Sequence, residues 1–449
     1  MKKHYYFIGI GGIGMSALAR YFKFKGHEVS GYDRTPSELT AHLEEEGIAV
    51  HYEDRPELLP SDIEHTTVVY TPAVPASLGE LQKARNEGYT LLKRSQMLGE
   101  LTAGQKCLAV AGTHGKTTTS TLTAHILTDS GKGCSAFLGG ISLNYGTNML
   151  MSHAEEVVAE ADEYDRSFLQ LHPAIAVISA MDADHLDIYG DVETMRDAYR
   201  QFAAQVSSVL IHKYGLPLSE NVTKAKIHTY ALDDARADFH AENIRPLGDG
   251  HYLFDLKYPR GTVKDIRTGV LGKLNIENAV AAAAICLCNG LDEESVRKGI
   301  ASFKGVHRRM EEHLNTPAHT YIDDYAHHHA ELEASIRSLR EMFPTRRLSV
   351  IFQPHLYTRT RDFAAQFASA LSLCDDVILS DIYPARELPI PGVSSEMILD
   401  KVTAPHKELV PYKDICKRIE ELKDELEVLV TFGAGDIEKL TGPITEILR

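Results

Sequence analysis

Cys107–Thr121 reads CLAVAGTHGKTTTST, and the rest of the chain is organised around it. Its apolar run, Leu108-Ala109-Val110-Ala111, reads as a buried strand. Gly112-Thr113-His114-Gly115 makes a turn, and Lys116 with Thr117, Thr118 and Thr119 opens a helix through Leu122 and Ile126. Strand, glycine turn and helix in this order form a phosphate cradle, because backbone N–H groups and a helix N-terminus attract anionic oxygens. Lys116 can reach outer phosphates, and the Thr117 hydroxyl can ligate magnesium. The spacing departs from the usual pattern, since Val110 stands where the earlier glycine is expected. The bland alternative is a turn before an ordinary helix with a solvated lysine.

A second glycine stretch lies near the N-terminus. The apolar run Tyr5–Ile8 leads into Gly9-Ile10-Gly11-Gly12-Ile13-Gly14, then a helical run through Met15, Leu18, Ala19 and Phe22. Glu28–Tyr32 reads as a strand ending at Asp33, where an acidic residue is expected to meet a ribose. Alone, this pattern suggests an NAD-dependent dehydrogenase. It certifies only a backbone that approaches a diphosphate, which a UDP-sugar also carries. Val68–Tyr70 ends in Thr71-Pro72-Ala73, a loop at a strand's carboxyl end, where open α/β sheets bind ligands.

Beyond the phosphate loop, two apolar strands end in acidic clusters: Val157–Ala159 before Glu160-Ala161-Asp162-Glu163, and Ala174–Ser179 before Asp182–Asp187. Parallel strands would bring both clusters to the edge that holds the phosphate loop. Magnesium takes hard oxygen ligands, which suits Thr117 and Glu160; His185 is softer. Residues 237–270 suggest short antiparallel strands, and Asn275 reads as the cap of an alanine-rich helix. After Lys304–Arg309 the chain alternates strands and helices, with strands expected at 319–323, 346–353, 376–382, 407–411 and 427–432. Two polar loops follow the first two: Asp323–His329 and Gln353–Asp362. His327, His328 and His329 are adjacent, so they point in different directions and make a poor zinc set. Arg359 and Arg361 beside Tyr357 suit carboxylate or phosphate recognition. Gly433-Ala434-Gly435 marks one more close backbone approach.

The 449 residues suggest about three domains. A net charge of −16 disfavours nucleic acid as a partner. The six cysteines lack metal-finger spacing and read as reduced thiols of a cytoplasmic protein. No run approaches the roughly 18 apolar residues of a membrane span, and glycines break the apolar N-terminus too early for a signal peptide.

Together, the stretches Gly9–Met15, Ala111–Thr119, Glu160–Asp165, Ala183–Asp187, Asp323–His328, Gln353–Asp362 and Gly433–Gly435 resemble the Mur ligase family, in family order over nearly the whole chain. The resemblance implies an α/β protein of three domains: an N-terminal Rossmann-like UDP-sugar domain (1–103), a central P-loop ATPase-type domain with extra antiparallel strands (104–305), and a C-terminal Rossmann-like amino-acid domain (306–449). It implies ATP-dependent joining of L-alanine to the carboxylate of UDP-N-acetylmuramate through an acyl phosphate, giving ADP and phosphate in peptidoglycan precursor synthesis. A recycling ligase that attaches a tripeptide to the same UDP-sugar is the neighbouring alternative.

By the family pattern, Gly112, Thr113, His114, Gly115, Lys116, Thr117, Thr118, Asn275, Asn278 and Arg308 bind ATP; Thr117, Glu160 and His185 serve Mg2+. Gly9, Gly11, Gly12, Ile13, Gly14, Met15, Asp33, Thr71, Pro72 and Ala73 hold the UDP-sugar. Tyr325, His327 and Arg359 receive the amino acid, and Lys116, His327 and Arg359 are the catalytic candidates, with His327 a base for the amine. The chain departs from the family at Leu274 (commonly His), His329 (commonly Pro) and Leu356 (commonly Arg). The expected partners are the two small-molecule substrates, with no nucleic acid and no membrane, in a monomer or homodimer.

Overall fold

The computed structural model describes residues 2–71, 74–182, 186–385 and 387–449. The chain divides into two units: residues 1–240, 257–261 and 280–299, and residues 241–256, 262–279 and 300–449.

The first unit opens with β1 (His4–Ile8), β2 (Glu28–Tyr32), β3 (Ala49–His51), β4 (Thr66–Tyr70) and β5 (Thr90–Lys93), a parallel sheet ordered β3-β2-β1-β4-β5. The order reverses beside β1, so the loops after β1 and β4 flank the switch point where such sheets bind ligands.

The same unit continues with β6 (Lys106–Ala111), β7 (Ser135–Ser142), β8 (Thr147–Leu150), β9 (Glu156–Ala161), β10 (Pro173–Ile178), β11 (Val209–Lys213) and β12 (Lys226–Ala231). They are ordered β12-β11-β10-β6-β9-β7-β8. Strand β6 pairs in parallel with β9 on one side and β10 on the other, Ala111 facing Ala161 and Ile178. The phosphate-loop turn, the first acidic cluster and the end of β10 therefore share one sheet edge, as the strand pattern predicts. The near-continuous apolar composition of β6 and β10 follows from burial on both faces.

Strands β13 (Phe239–Pro246), β14 (Tyr252–Tyr258) and β15 (Gly261–Arg267) neighbour one another in that order and fall across the division between the units. The helix Leu274–Cys288 follows, with Asn275 inside its first turn and not at the cap position.

The rest of the second unit holds β16 (Glu311–Asn315), β17 (Thr320–Asp324), β18 (Leu348–Phe352), β19 (Asp376–Leu379), β20 (His406–Leu409) and β21 (Val428–Phe432). The sheet order is β16-β17-β21-β18-β19-β20, antiparallel only at β16–β17. Strand β21 lies between β17 and β18, so their three loops meet at one edge. Leu332, Ile336, Leu339 and Met342 of the helix His329–Met342 are buried, the face its 3.6-residue spacing predicts. All six cysteines are free thiols, four of them buried. Among the described residues, no helix is long and apolar enough to cross a membrane.

Candidate active site

The phosphate loop is a glycine structure for two local reasons. Gly112 has φ +131, and a Cβ there would stand 2.1 Å from Ser179 Oγ and 2.7 Å from the Ala180 amide nitrogen. Gly115 has φ +76 and caps the helix Lys116–Asp129 without a side-chain hydrogen bond, leaving that end to its amides. Ser179 closes the turn, its hydroxyl donating to Ala111 O at 3.2 Å and to His114 O at 2.5 Å. His114 is exposed and lies 3.4 Å from Asp182.

Lys116 Nζ donates to Gly112 O at 2.8 Å and contacts both oxygens of Glu163. The Thr117 hydroxyl donates to Glu160 Oε1 at 3.0 Å, and the Gly139 amide donates to Oε2 at 3.0 Å. Burial pushes the Glu160 carboxyl upward, against the pull of Lys116, Thr117 and the Gly139 amide. Its charge is incompletely compensated, and two hard oxygen donors stand together, so this pair fits a magnesium ion. His185 lies outside the described residues. A cavity of about 120 Å³ runs from Gly14 and Arg94, past Phe137 and Gly139, to Glu160 and Asp162. It joins the first glycine loop to the phosphate-loop edge.

In that first loop Gly9 has φ +87, and a Cβ on it would meet Thr71 Cγ2 at 2.9 Å. Gly11 is pressed against Asp33, whose Oδ2 accepts the Gly11 amide at 2.7 Å. Asp33 thus also braces the glycine turn itself. Gly12 begins the helix Ile13–Phe24 with no side-chain cap, Ile13 is exposed, and the Met15 side chain is core, so Met15 could serve a ligand only through its backbone. Pro72 and Ala73 lie outside the described residues. Arg94, which the glycine pattern does not reveal, supplies a cation beside Gly14; its place at the end of β5 was the available signal.

In the second unit Asn275 Nδ2 donates to Leu271 O at 2.7 Å, and Asn278 Nδ2 donates to Asn275 Oδ1 at 2.9 Å. Leu274 beside them is exposed. Arg308 is buried: its guanidinium donates to Asp323 Oδ2 at 2.8 Å and to Gly433 O at 2.5 Å, and Nη1 reaches Glu438 at 3.3 Å. Arg308, expected at ATP, ties the end of β17 to the segment after β21. Gly433 and Gly435 pack on Gln353 and Tyr383, where any Cβ would clash.

Tyr325, His327 and Arg359 gather at that edge, joined by His355. The His327 and Tyr325 rings are 5.1 Å apart, and those of His327 and His355 are 5.7 Å apart. Burial lowers the pKa of both histidines, and Arg359 lowers each further. His328 and His329 face Phe363 instead, so the triplet is divided. Among the described residues, Arg359 Nη1 and His355 Nδ1 are both buried without a hydrogen-bond partner. An unpaired buried guanidinium nitrogen beside a neutral imidazole suits an incoming carboxylate.

Three family models match the chain: the Mur ligase family catalytic domain over residues 4–106, the Mur ligase middle domain over 110–286, and the Mur ligase glutamate ligase domain over 308–435. The UDP-N-acetylmuramate–L-alanine ligase of Porphyromonas gingivalis is 49% identical over 456 residues, covering 100% of this chain and 99% of its own length. That of Phocaeicola vulgatus is 50% identical over 458 residues, covering 100% and 98%. The solved UDP-N-acetylmuramate-alanine ligase of Thermotoga maritima aligns with a TM-score of 0.77 at 26% identity, covering 99% of this chain and 98% of that one. A murein peptide ligase from Psychrobacter arcticus shares the fold, with a TM-score of 0.65 at 21% identity.

Proposed function

The chain belongs to the Mur ligase family, and from that membership we infer that it joins L-alanine to the carboxylate of UDP-N-acetylmuramate, consuming ATP and releasing ADP and phosphate. The observation that carries the reading is the Lys116 loop, set beside Glu160 in a chain about half identical, end to end, to ligases of that name. The full-length likeness to alanine ligases favours alanine over a tripeptide as the amine donor. A dehydrogenase would leave the Lys116 loop without a task.

A carboxylate resists attack by an amine because oxide is a poor leaving group. Phosphorylation by the γ-phosphoryl of ATP gives an acyl phosphate, which can expel phosphate. The amides of Gly112–Thr118 and the Lys116 ammonium hold the transferring charge in place. Thr117 and Glu160 would hold Mg2+, which supplies further neutralisation of the phosphate oxygens when bound. The Gly9–Gly14 loop and Arg94 take the diphosphate of the UDP-sugar, and the cavity toward Glu160 takes the sugar and its acid arm.

In the second unit, Arg359 pairs with the amino acid's own carboxylate. His327, kept neutral by burial, accepts the proton that the amine must lose. Attack of the amine gives a tetrahedral intermediate, which collapses to the amide and phosphate. Measuring ADP release with UDP-N-acetylmuramate and a panel of amines tests the reading. Release that requires alanine is expected; release only with tripeptide, or none with any amine, defeats it.

A further inference from the structure

The helix that carries Arg359, Tyr357–Leu371, begins in an unusual way. Leu356, at its cap position, has φ +73 and offers no side-chain bond to the helix amides. Its amide donates to Tyr383 O at 2.9 Å, and the Tyr383 amide donates to Pro354 O at 2.8 Å. The His355 ring stacks on Tyr383 with centroids 5.8 Å apart. The loop after β18 is therefore fastened along its length to the segment that starts at Tyr383.

Glu387, from that same segment, supplies what Leu356 lacks. Its Oε2 accepts the Thr358 amide at 3.0 Å, and its Oε1 accepts the Thr358 hydroxyl. The carboxylate is held below its usual range by these bonds, then by the neighbouring Tyr357 amide and His355. Both of its oxygens are engaged by Thr358, while the next residue, Arg359, keeps a buried Nη1 with no partner. Among the described residues Arg359 has no counter-ion, so its guanidinium is aimed by the backbone that bears it.

We propose that Glu387 is a positioning residue for the amino-acid substrate: by clamping the first turn of the Arg359 helix, it sets the unpaired guanidinium edge to receive the substrate carboxylate. This rests on the ligase reading above. A carboxylate that paired with Arg359 directly would block the same edge, so a remote cap is the arrangement that fixes the arginine and leaves it available.

The test is steady-state ADP release by the full-length protein, with alanine, ATP and UDP-N-acetylmuramate varied in turn. Glu387→Ala is expected to raise KM for alanine about tenfold, the size of a lost helix cap, with the other two KM values within about twofold. Glu387→Gln keeps an acceptor for the Thr358 amide and should recover about a third of that loss on a logarithmic scale or more. An unchanged alanine KM in Glu387→Ala, or a rise of all three KM values together, overturns the proposal. If Glu387→Ala does not fold, Thr358→Val, which removes only the hydroxyl bond, should still raise the alanine KM about threefold, and no rise overturns it. Wild-type protein that releases no ADP with alanine instead defeats the ligase reading, a result visible before any variant is made.

Discussion

Lys116 Nζ lies 2.7 and 2.8 Å from the two carboxylate oxygens of Glu163, whose side chain is 1% exposed. The phosphate-loop lysine is therefore one half of a buried ion pair. Its ammonium is held at the loop by Glu163 and by Gly112 O, and not left to wander in solvent.

Removing that ammonium has two consequences. Lys116→Ala should abolish ADP release. It should also cost about 3 kcal/mol of stability, because Glu163 is left buried and unpaired. The double variant Lys116→Ala/Glu163→Ala should regain most of the melting temperature and none of the activity. Thermal melts beside ADP assays check both; a fully active Lys116→Ala would take the lysine out of the phosphate site.

Glu160 is bonded to Thr117 and Gly139, with burial raising its pKa. Glu160→Gln keeps the shape and removes the charge a divalent cation needs. Turnover at saturating ATP should fall about a hundredfold, and the magnesium concentration for half-activity should rise. A magnesium titration identical to that of the wild type would remove Glu160 from the metal site.

Gly112→Ala would place a methyl group 2.7 Å from the Ala180 amide nitrogen, at a φ of +131. Rotating a side chain cannot relieve a clash with backbone, so the loop itself must shift. ATP affinity should fall about tenfold or more, from strain of about 1–3 kcal/mol. Ser179→Ala, which loses only the bonds to Ala111 O and His114 O, should fall less. Titration with a fluorescent ATP analogue measures each; equal binding by Gly112→Ala would show that the turn tolerates the methyl.

His327 and His355 both have pKa values below the ordinary 6.5, from burial first; Glu331 opposes this at His327, and Arg359 adds to it at both. A base must be neutral to act, so activity should be full at pH 7 and its acid limb should lie below the ordinary imidazole value of 6.5. Arg359→Gln removes one cation that lowers both values, so the acid limb should move to higher pH as well as the alanine KM rising. A pH profile of kcat/KM for alanine reads this, and an unmoved limb would assign it to another group.

His307 works in the opposite sense. Its hydrogen bond to Glu311, at 2.8 Å, outweighs burial, and with Glu438 also bonded at 3.2 Å its pKa is raised to about 9. The folded state favours the charged ring, so this contribution is complete below pH 6.5 and fades as pH rises from there to about 9. With solvent screening of a partly exposed ring, we expect about 1 kcal/mol. His307→Gln should lower the melting midpoint at pH 6 and leave it nearly unchanged at pH 9.5; an equal loss at both would exclude the ionic origin.

Much of this was legible because it is local. The strands His4–Ile8 and Lys106–Ala111 are largely apolar runs that lead straight into glycine turns, and both glycine turns lie where the motifs put them. Short strands such as Ala49–His51 and Thr147–Leu150 carry too few residues to show a period, and they form because a neighbouring strand pairs with them. Asn275 was misread as a cap because capping and first-turn positions use the same side chains. The internal partners of Asp33 and Arg308 were not legible: an acid or an arginine looks the same in sequence whether or not a neighbouring segment also binds it.

Sequence alone determined that this chain has two glycine turns at strand ends, acidic clusters at strand ends and an arginine-bearing segment in its last third, because each is written in consecutive residues. Tertiary structure decided which of these charges are already answered. Only the parallel pairing of β6 with β9 brings Glu163 to Lys116 and Glu160 to Thr117, and only the segment at Tyr383 brings Glu387 to the Arg359 helix. Those pairings are separated by tens of residues, and whether a charge is paired depends on distance in space, which no local pattern records.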